Sequence, residues 1–173
     1  MIKQENVFQI GRIGKSHGIH GEVTMHITDD VFDRVESDFV VLEVDGILVP
    51  FFMEEYRFRS DETVLVKFSG IDSQEQVRQL THCGVFFPRD KAVDGSNEVS
   101  WAQLSGLSVI DQTTGKPVGE IKDIDYSTIN MLFEIATPDG RKVLVPASEE
   151  LIEDIDLQAR IVRMRLPEGL LDL

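Results

Sequence analysis

One cysteine, Cys83, is all that 173 residues supply, so no internal disulfide can form and the expected compartment is a reducing cytoplasm. Long apolar runs are also missing. The stretch from Gly46 to Met53 is interrupted by Pro50 and falls far short of the ~20 residues that a membrane-spanning helix needs. Met1-Ile2-Lys3-Gln4-Glu5-Asn6 lacks the apolar centre of a signal peptide, and the expectation is a soluble protein with no membrane partner. Positive charge is scarce: 17 Lys and Arg stand against 31 Asp and Glu, a net charge of −14. That balance excludes holding duplex nucleic acid by phosphate neutralisation alone. Catalytic signatures are absent too, with neither a Gly-x-Ser-x-Gly elbow nor a His-Glu-x-x-His helix.

What is present is apolar side chains for a core, 42% of the chain, enough for one medium domain or two small ones. Val23, Met25 and Ile27 alternate with polar residues and predict a half-buried strand over 22–27. Two β-rich segments, 39–44 and 47–52, flank Asp45-Gly46, the pairing favoured in a type I′ turn, and predict a hairpin. A strand follows over 63–68. Asp72 with Glu75 three residues on then predicts an N-cap ahead of Val77 and Leu80, and 84–88 is a further strand. Lys91 to Glu98 offers almost nothing to bury, and the linker is placed over 91–99. Beyond it, strands are predicted at 107–110, 118–124, 131–135, 142–145 and 160–166, with turns at Thr113-Thr114-Gly115 and Pro138-Asp139-Gly140. Many short strands with little helix predict an all-β chain of two small closed β-barrels, residues 1–90 and 100–173, because closure removes exposed edges. Nine of ten phenylalanines precede residue 91, so the first core is the bulkier.

Gly14-Lys15-Ser16 has the look of the end of a phosphate-binding loop, but position 9 is Gln9 instead of glycine and a strand follows in place of a helix. His17, His20 and His26 have no cysteine nearby and are split by a strand start, so neither a metal nor another cofactor is expected. Acids are absent from residues 6–21, which hold Arg12, Lys15, His17 and His20. Such a positive loop in a negative protein either meets phosphate or reflects only a glycine-rich segment. Residues 76–89, with Arg78, His82 and Arg89, are also acid-free and extend the same patch if they lie beside it. In a third window, strand alternation sets Arg163 and Arg165 opposite Val162, Met164 and Leu166. Those arginines either balance Glu149, Glu150, Glu153 and Asp154 across a sheet or bind a partner. Leucines persist to Leu173, which predicts a tail docked on the barrel or on a partner.

Gly11-Arg12-Ile13-Gly14-Lys15-Ser16-His17-Gly18-Ile19-His20-Gly21-Glu22-Val23 resembles the opening signature of the RimM family of bacterial ribosome maturation factors. Leu144-Val145-Pro146-Ala147, Ile155-Asp156-Leu157 and Arg165-Leu166-Pro167-Glu168-Gly169-Leu170-Leu171-Asp172-Leu173 resemble that family's C-terminal PRC barrel, in the same order. The resemblance implies a translation-factor-like N-terminal barrel and a PRC barrel, and no enzymatic activity. It implies binding to the immature small ribosomal subunit and its 16S rRNA near the head, contact with a head ribosomal protein of the S-nineteen family, and promotion of head assembly and 16S rRNA maturation. On that reading Arg12, Lys15, His17 and His20 face RNA, while Trp101, Arg163 and Arg165 face the ribosomal protein, and the factor is a cytoplasmic monomer. Two positions depart from the family. Adjacent tyrosines commonly precede the Leu-x-Gly of the second barrel, whereas here only Trp101 keeps the aromatic character; the usual Asn-Asp turn is Ser127-Thr128-Ile129-Asn130-Met131. Trp101 accordingly either caps an interdomain core or meets the partner. The competing reading is a PRC-barrel adaptor that does not act on ribosomes.

Overall fold

The computed structural model describes residues 1–92 and 99–172. They fall into two compact units, Met1–Ser100 and Trp101–Leu173. Most of the linker expected over 91–99 lies outside the described residues. Its first two residues pack on the first unit: Ala92 is buried, and the Lys91 ammonium sits 5.1 Å from the Phe39 ring centroid.

The first unit comprises β1 (Val7–His17), β2 (Glu22–Ile27), α1 (Val31–Arg34), β3 (Phe39–Val44), β4 (Ile47–Ser60), β5 (Thr63–Phe68), α2 (Gln74–Leu80) and β6 (Gly84–Pro88). The strands form a closed barrel in the order β1-β2-β5-β4-β3-β6. Alternation drives it: Val23, Met25 and Ile27 face inward beside Val64, Val66 and Phe68. Asp45 and Gly46 both take positive φ, 51° and 80°, which a type I′ turn demands. β1 differs from expectation, since the glycine-rich segment begins as an eleven-residue strand and only residues 18–21 turn. Gly11 explains this. It pairs with Ile27 across the ladder, and a Cβ there would run into the His26 carbonyl, so glycine serves close strand approach here and not loop freedom. Bulges between Gln9 and Gly11 and between Ile13 and Ser16 bend the strand around the barrel. The cap of α2 lies one residue later than expected. Ser73 accepts from the Gln76 amide and Gln76 returns the bond, a full capping box. Asp72 is diverted into an ion pair with Lys67 at 3.0 Å.

The second unit comprises β7 (Ser108–Asp111), β8 (Pro117–Asp125), β9 (Leu132–Ala136), β10 (Lys142–Pro146), β11 (Ile152–Asp156) and β12 (Ile161–Met164). Their order is β10-β9-β8-β7-β12-β11, with β12 parallel to β7 and the other pairs antiparallel. Among the described residues no ladder joins β10 to β11, so here the hydrogen-bonded belt is open where a closed one was expected. The sheet nevertheless encloses a core of Ile121, Phe133, Ile135 and Met164, all fully buried. Leu166 is buried, and Leu170 and Leu171 are half-covered in a closing 3-10 turn.

Candidate functional site

Arg12 projects outward from β1 because its neighbours Gly11 and Ile13 are committed to the barrel interior. One guanidinium nitrogen donates to the His82 carbonyl at 3.4 Å. Backbone bonds fix that approach, with the His82 amide donating to Ile13 O at 2.9 Å and the Ile13 amide to Cys83 O at 3.0 Å. The first two acid-free windows therefore meet, and Arg12 and His82 share one exposed surface. His26, exposed on β2, stands directly opposite Arg12 in the ladder. Its ring lies over Gly14, close enough that a Cβ on Gly14 would come within 2.8 Å of Nε2. His26 was considered only as a metal ligand in the sequence; strand pairing with Arg12 makes it part of this strip.

Lys15, His17 and His20 are exposed further along, Lys15 beside the bulge, His17 at the strand end and His20 in the following turn. At about 3.3 Å per residue the run from Arg12 to His17 is roughly 16 Å long, comparable to a few phosphate spacings of an RNA strand. Neither Arg12 nor Lys15 has an ion-pair partner among the described residues. The nearest acid on the ladder, Glu22 opposite His17, is already held by Arg57 through two bonds of 3.2 and 3.1 Å. That pairing withdraws the carboxylate from competition with phosphate. Arg78 is exposed on α2. Burial, then Asp45 and Glu43, push the Cys83 thiol up, which disfavours the thiolate form.

The second unit arranges its charges differently. Arg163 and Arg165 point away from Val162, Met164 and Leu166 as expected, but face β11, a strand whose acids hid it from pattern reading. Arg165 pairs with Glu153 at 2.8 Å and Arg163 with Asp154 at 4.0 Å. Of the two alternatives, cross-sheet balance is the one realised within this chain. Exposed pairs of this kind contribute about 0–1 kcal/mol each, so a partner can recruit either arginine at little cost. Lys142 is raised by its bond to Glu134 at 2.7 Å. In the β9–β10 turn, the Thr137 hydroxyl and Arg141 draw Asp139 down to about 2. Trp101 opens the unit in a 3-10 turn, half-buried, its ring centroid 5.8 Å from that of Phe133. It is thus partly core and partly surface. Among the described residues no three His, Cys, Asp or Glu side chains gather so as to hold a metal ion, and no helix is long and apolar enough to cross a membrane.

A cation strip on a closed barrel, followed by a separate six-stranded module, defines a class: two-module all-β proteins. The RimM N-terminal domain matches residues 8–92 and the RimM PRC barrel domain residues 101–170. The chain belongs to the RimM family. The ribosome maturation factor RimM of Bacteroides thetaiotaomicron is 47% identical over 176 residues, covering 100% of this chain and 97% of that protein. Its Bacteroides fragilis counterpart is 48% identical over 174 residues, covering 100% and 96%. A crystal structure of a 16S ribosomal RNA processing protein RimM from Pseudomonas aeruginosa is 26% identical, covers 94% of this chain and 98% of its own, and superposes with a TM-score of 0.45.

Proposed function

We infer that this protein is a cytoplasmic ribosome maturation factor, working by binding and not by catalysis on the immature small ribosomal subunit. The observation that carries the reading is full-length similarity to ribosome maturation factors at 47% and 48% identity. The strip of Arg12, Lys15, His17 and His20 meets 16S rRNA phosphates, with His26 and His82 enlarging it. A short, locally positive strip overcomes a net charge of −14 because only charges within a Debye length of about 10 Å act strongly on a phosphate. The second module, residues 100–173, joined through a linker at 91–99, contacts a head ribosomal protein of the S-nineteen family through a surface that includes Trp101, Arg163 and Arg165. Ribosomal proteins are basic, and Glu149 and Glu150, exposed in the 3-10 turn whose Leu151 carbonyl accepts from the Arg165 amide and without ion pairs among the described residues, supply a complementary field. The factor acts as a monomer, promotes head assembly and 16S rRNA maturation by stabilising the immature arrangement it binds best, and leaves when the head adopts one it binds poorly. Sedimentation of cell extracts tests this. Co-migration with free small subunits is expected, and co-migration only with mature 70S ribosomes overturns it.

A further inference from the structure

β4 is fourteen residues long, but β3 pairs with it only as far as Phe52. From Glu54 to Ser60 it is hydrogen-bonded on one side, to β5, and among the described residues its other edge has no partner. Tyr56 and Phe58 share one face of that free-edged segment, opposite the buried Val66 and Val64. Both rings remain 41% and 39% exposed. They rest on Phe32 of α1, with centroids 5.0 and 5.9 Å from it and 6.3 Å from each other. Two exposed rings packed on the buried Phe32 beside an open strand edge are an unusual exposure for an antiparallel barrel.

The surrounding charge identifies the occupant. The segment that carries Phe32 holds Asp29, Asp30, Asp33, Glu36 and Asp38 against the single Arg34, and Asp61 and Glu62 form the tip of the β4–β5 hairpin. Arg57, on the opposite face, is committed to Glu22, and Arg59, the other cation of the segment, is outnumbered by Glu54 and Glu55 beside it in the strand and by the acids around it. This end of the barrel is therefore negative, the reverse of the β1 strip, and repels phosphate. We propose that the β4 edge from Glu54 to Ser60, with Tyr56, Phe58 and the flanking acids, docks an extended lysine- or arginine-rich polypeptide segment. The segment adds as a strand along the open edge, its backbone bonding to β4. Its cationic side chains lie over the Tyr56 and Phe58 rings and reach Asp33 and Glu36. The inference concerns a surface separate from the RNA-facing strip and does not depend on it.

A chain of this charge attracts any polycation, so the test reads location as well as affinity. The isotope-labelled full-length protein is titrated with a ten-residue peptide of alternating lysine and valine, and separately with a decameric oligouridylate. The peptide is expected to shift the amide signals of Glu54 to Ser60 and to slow their hydrogen exchange. Tyr56→Ala with Phe58→Ala should weaken the peptide about tenfold. Because that pair could loosen Phe32, Asp33→Asn with Glu36→Asn provides a second variant that leaves every ring in place, and it should weaken binding several-fold, most at low salt. Arg12→Ala with Lys15→Ala should leave peptide binding unchanged. Peptide-induced shifts confined to other surfaces, indifference of the peptide to both edge variants, or oligouridylate engaging Tyr56 and Phe58 in its place would each overturn the proposal.

Discussion

The two modules carry nearly the same net charge, −7 over residues 1–90 and −6 over 100–173, yet handle their cations differently. In the second module Lys122, Arg141, Lys142, Arg163 and Arg165 each pair with an acid of the same module. In the first, Lys3, Arg34, Arg57 and Lys67 do likewise, but Arg12, Lys15 and Arg78, from acid-free windows, and Arg59 have no ion pair among the described residues, against Lys116 in the second. Net charge alone would have made the modules equivalent. What distinguishes them is where acids are withheld, because an unpaired guanidinium is available to an anion without first surrendering a carboxylate.

The largest expected effect separates the two cores. Phe68→Ala removes a fully buried ring from the closed barrel and should cost about 3–5 kcal/mol, while Ile121→Ala in the second module should cost about 2–4 kcal/mol. Denaturant unfolding followed by Trp101 fluorescence, which reports on the second module, should register Ile121→Ala and be nearly blind to Phe68→Ala. A Trp101 transition displaced equally by both would dissolve the distinction between modules. Next in size, Arg12→Ala with Lys15→Ala should weaken binding to precursor small-subunit RNA roughly tenfold and flatten its salt dependence by roughly 0.7 to 0.9 per lost phosphate contact. Arg163→Ala with Arg165→Ala should leave that slope alone. Equal slopes for the two double variants would erase the contrast between the modules. Smaller again, Ser73→Ala should lower the first module's stability by about 1 kcal/mol through loss of the α2 cap, seen as a reduced denaturant midpoint.

The smallest effect belongs to the second module. Asp139 is held down to about 2 by Thr137 and Arg141, below the 3.8 of an unconstrained aspartate. A carboxyl depressed in the folded state stabilises the fold above its unfolded value, and that contribution fades as pH falls from about 4 to about 2. Carboxyl chemical shifts should place the Asp139 midpoint near 2, and Asp139→Asn should abolish this turn's share of the acid sensitivity. A midpoint near 4 would mean that the β9–β10 turn is looser than its bonds imply.

Much of the fold was legible locally. Strands β2, β5 and β6 were marked to the residue, β2 by period-two alternation and the others by their dense β-formers, and Asp45-Gly46 announced its turn, because side-chain direction in a strand is set by the pleat and not by distant contacts. β1 and β11 were not. The glycines of β1 imitate a loop, and their role emerges only when β2 presses against Gly11; the outward acids of β11 dilute its apolar signal. The cap of α2 slipped by one residue because Lys67, distant in neither space nor sequence, claims Asp72. Of the candidate site, Arg12, Lys15, His17 and His20 could be named from missing acids and the outward aim of Arg163 and Arg165 from strand alternation, whereas the partnership of Arg12 with His26 and the exposed rings of Tyr56 and Phe58 could not.

Sequence by itself determined the chemistry available to this protein: its acidity, its one cysteine, its acid-free windows and the two-residue rhythm of its strands. Tertiary structure alone decided which of those charges are free. Strand pairing brings Glu153 and Asp154 to Arg165 and Arg163 and Arg57 to Glu22 while leaving Arg12 and Lys15 open, and an ion pair is a matter of a few ångströms across a ladder that no one-dimensional pattern records.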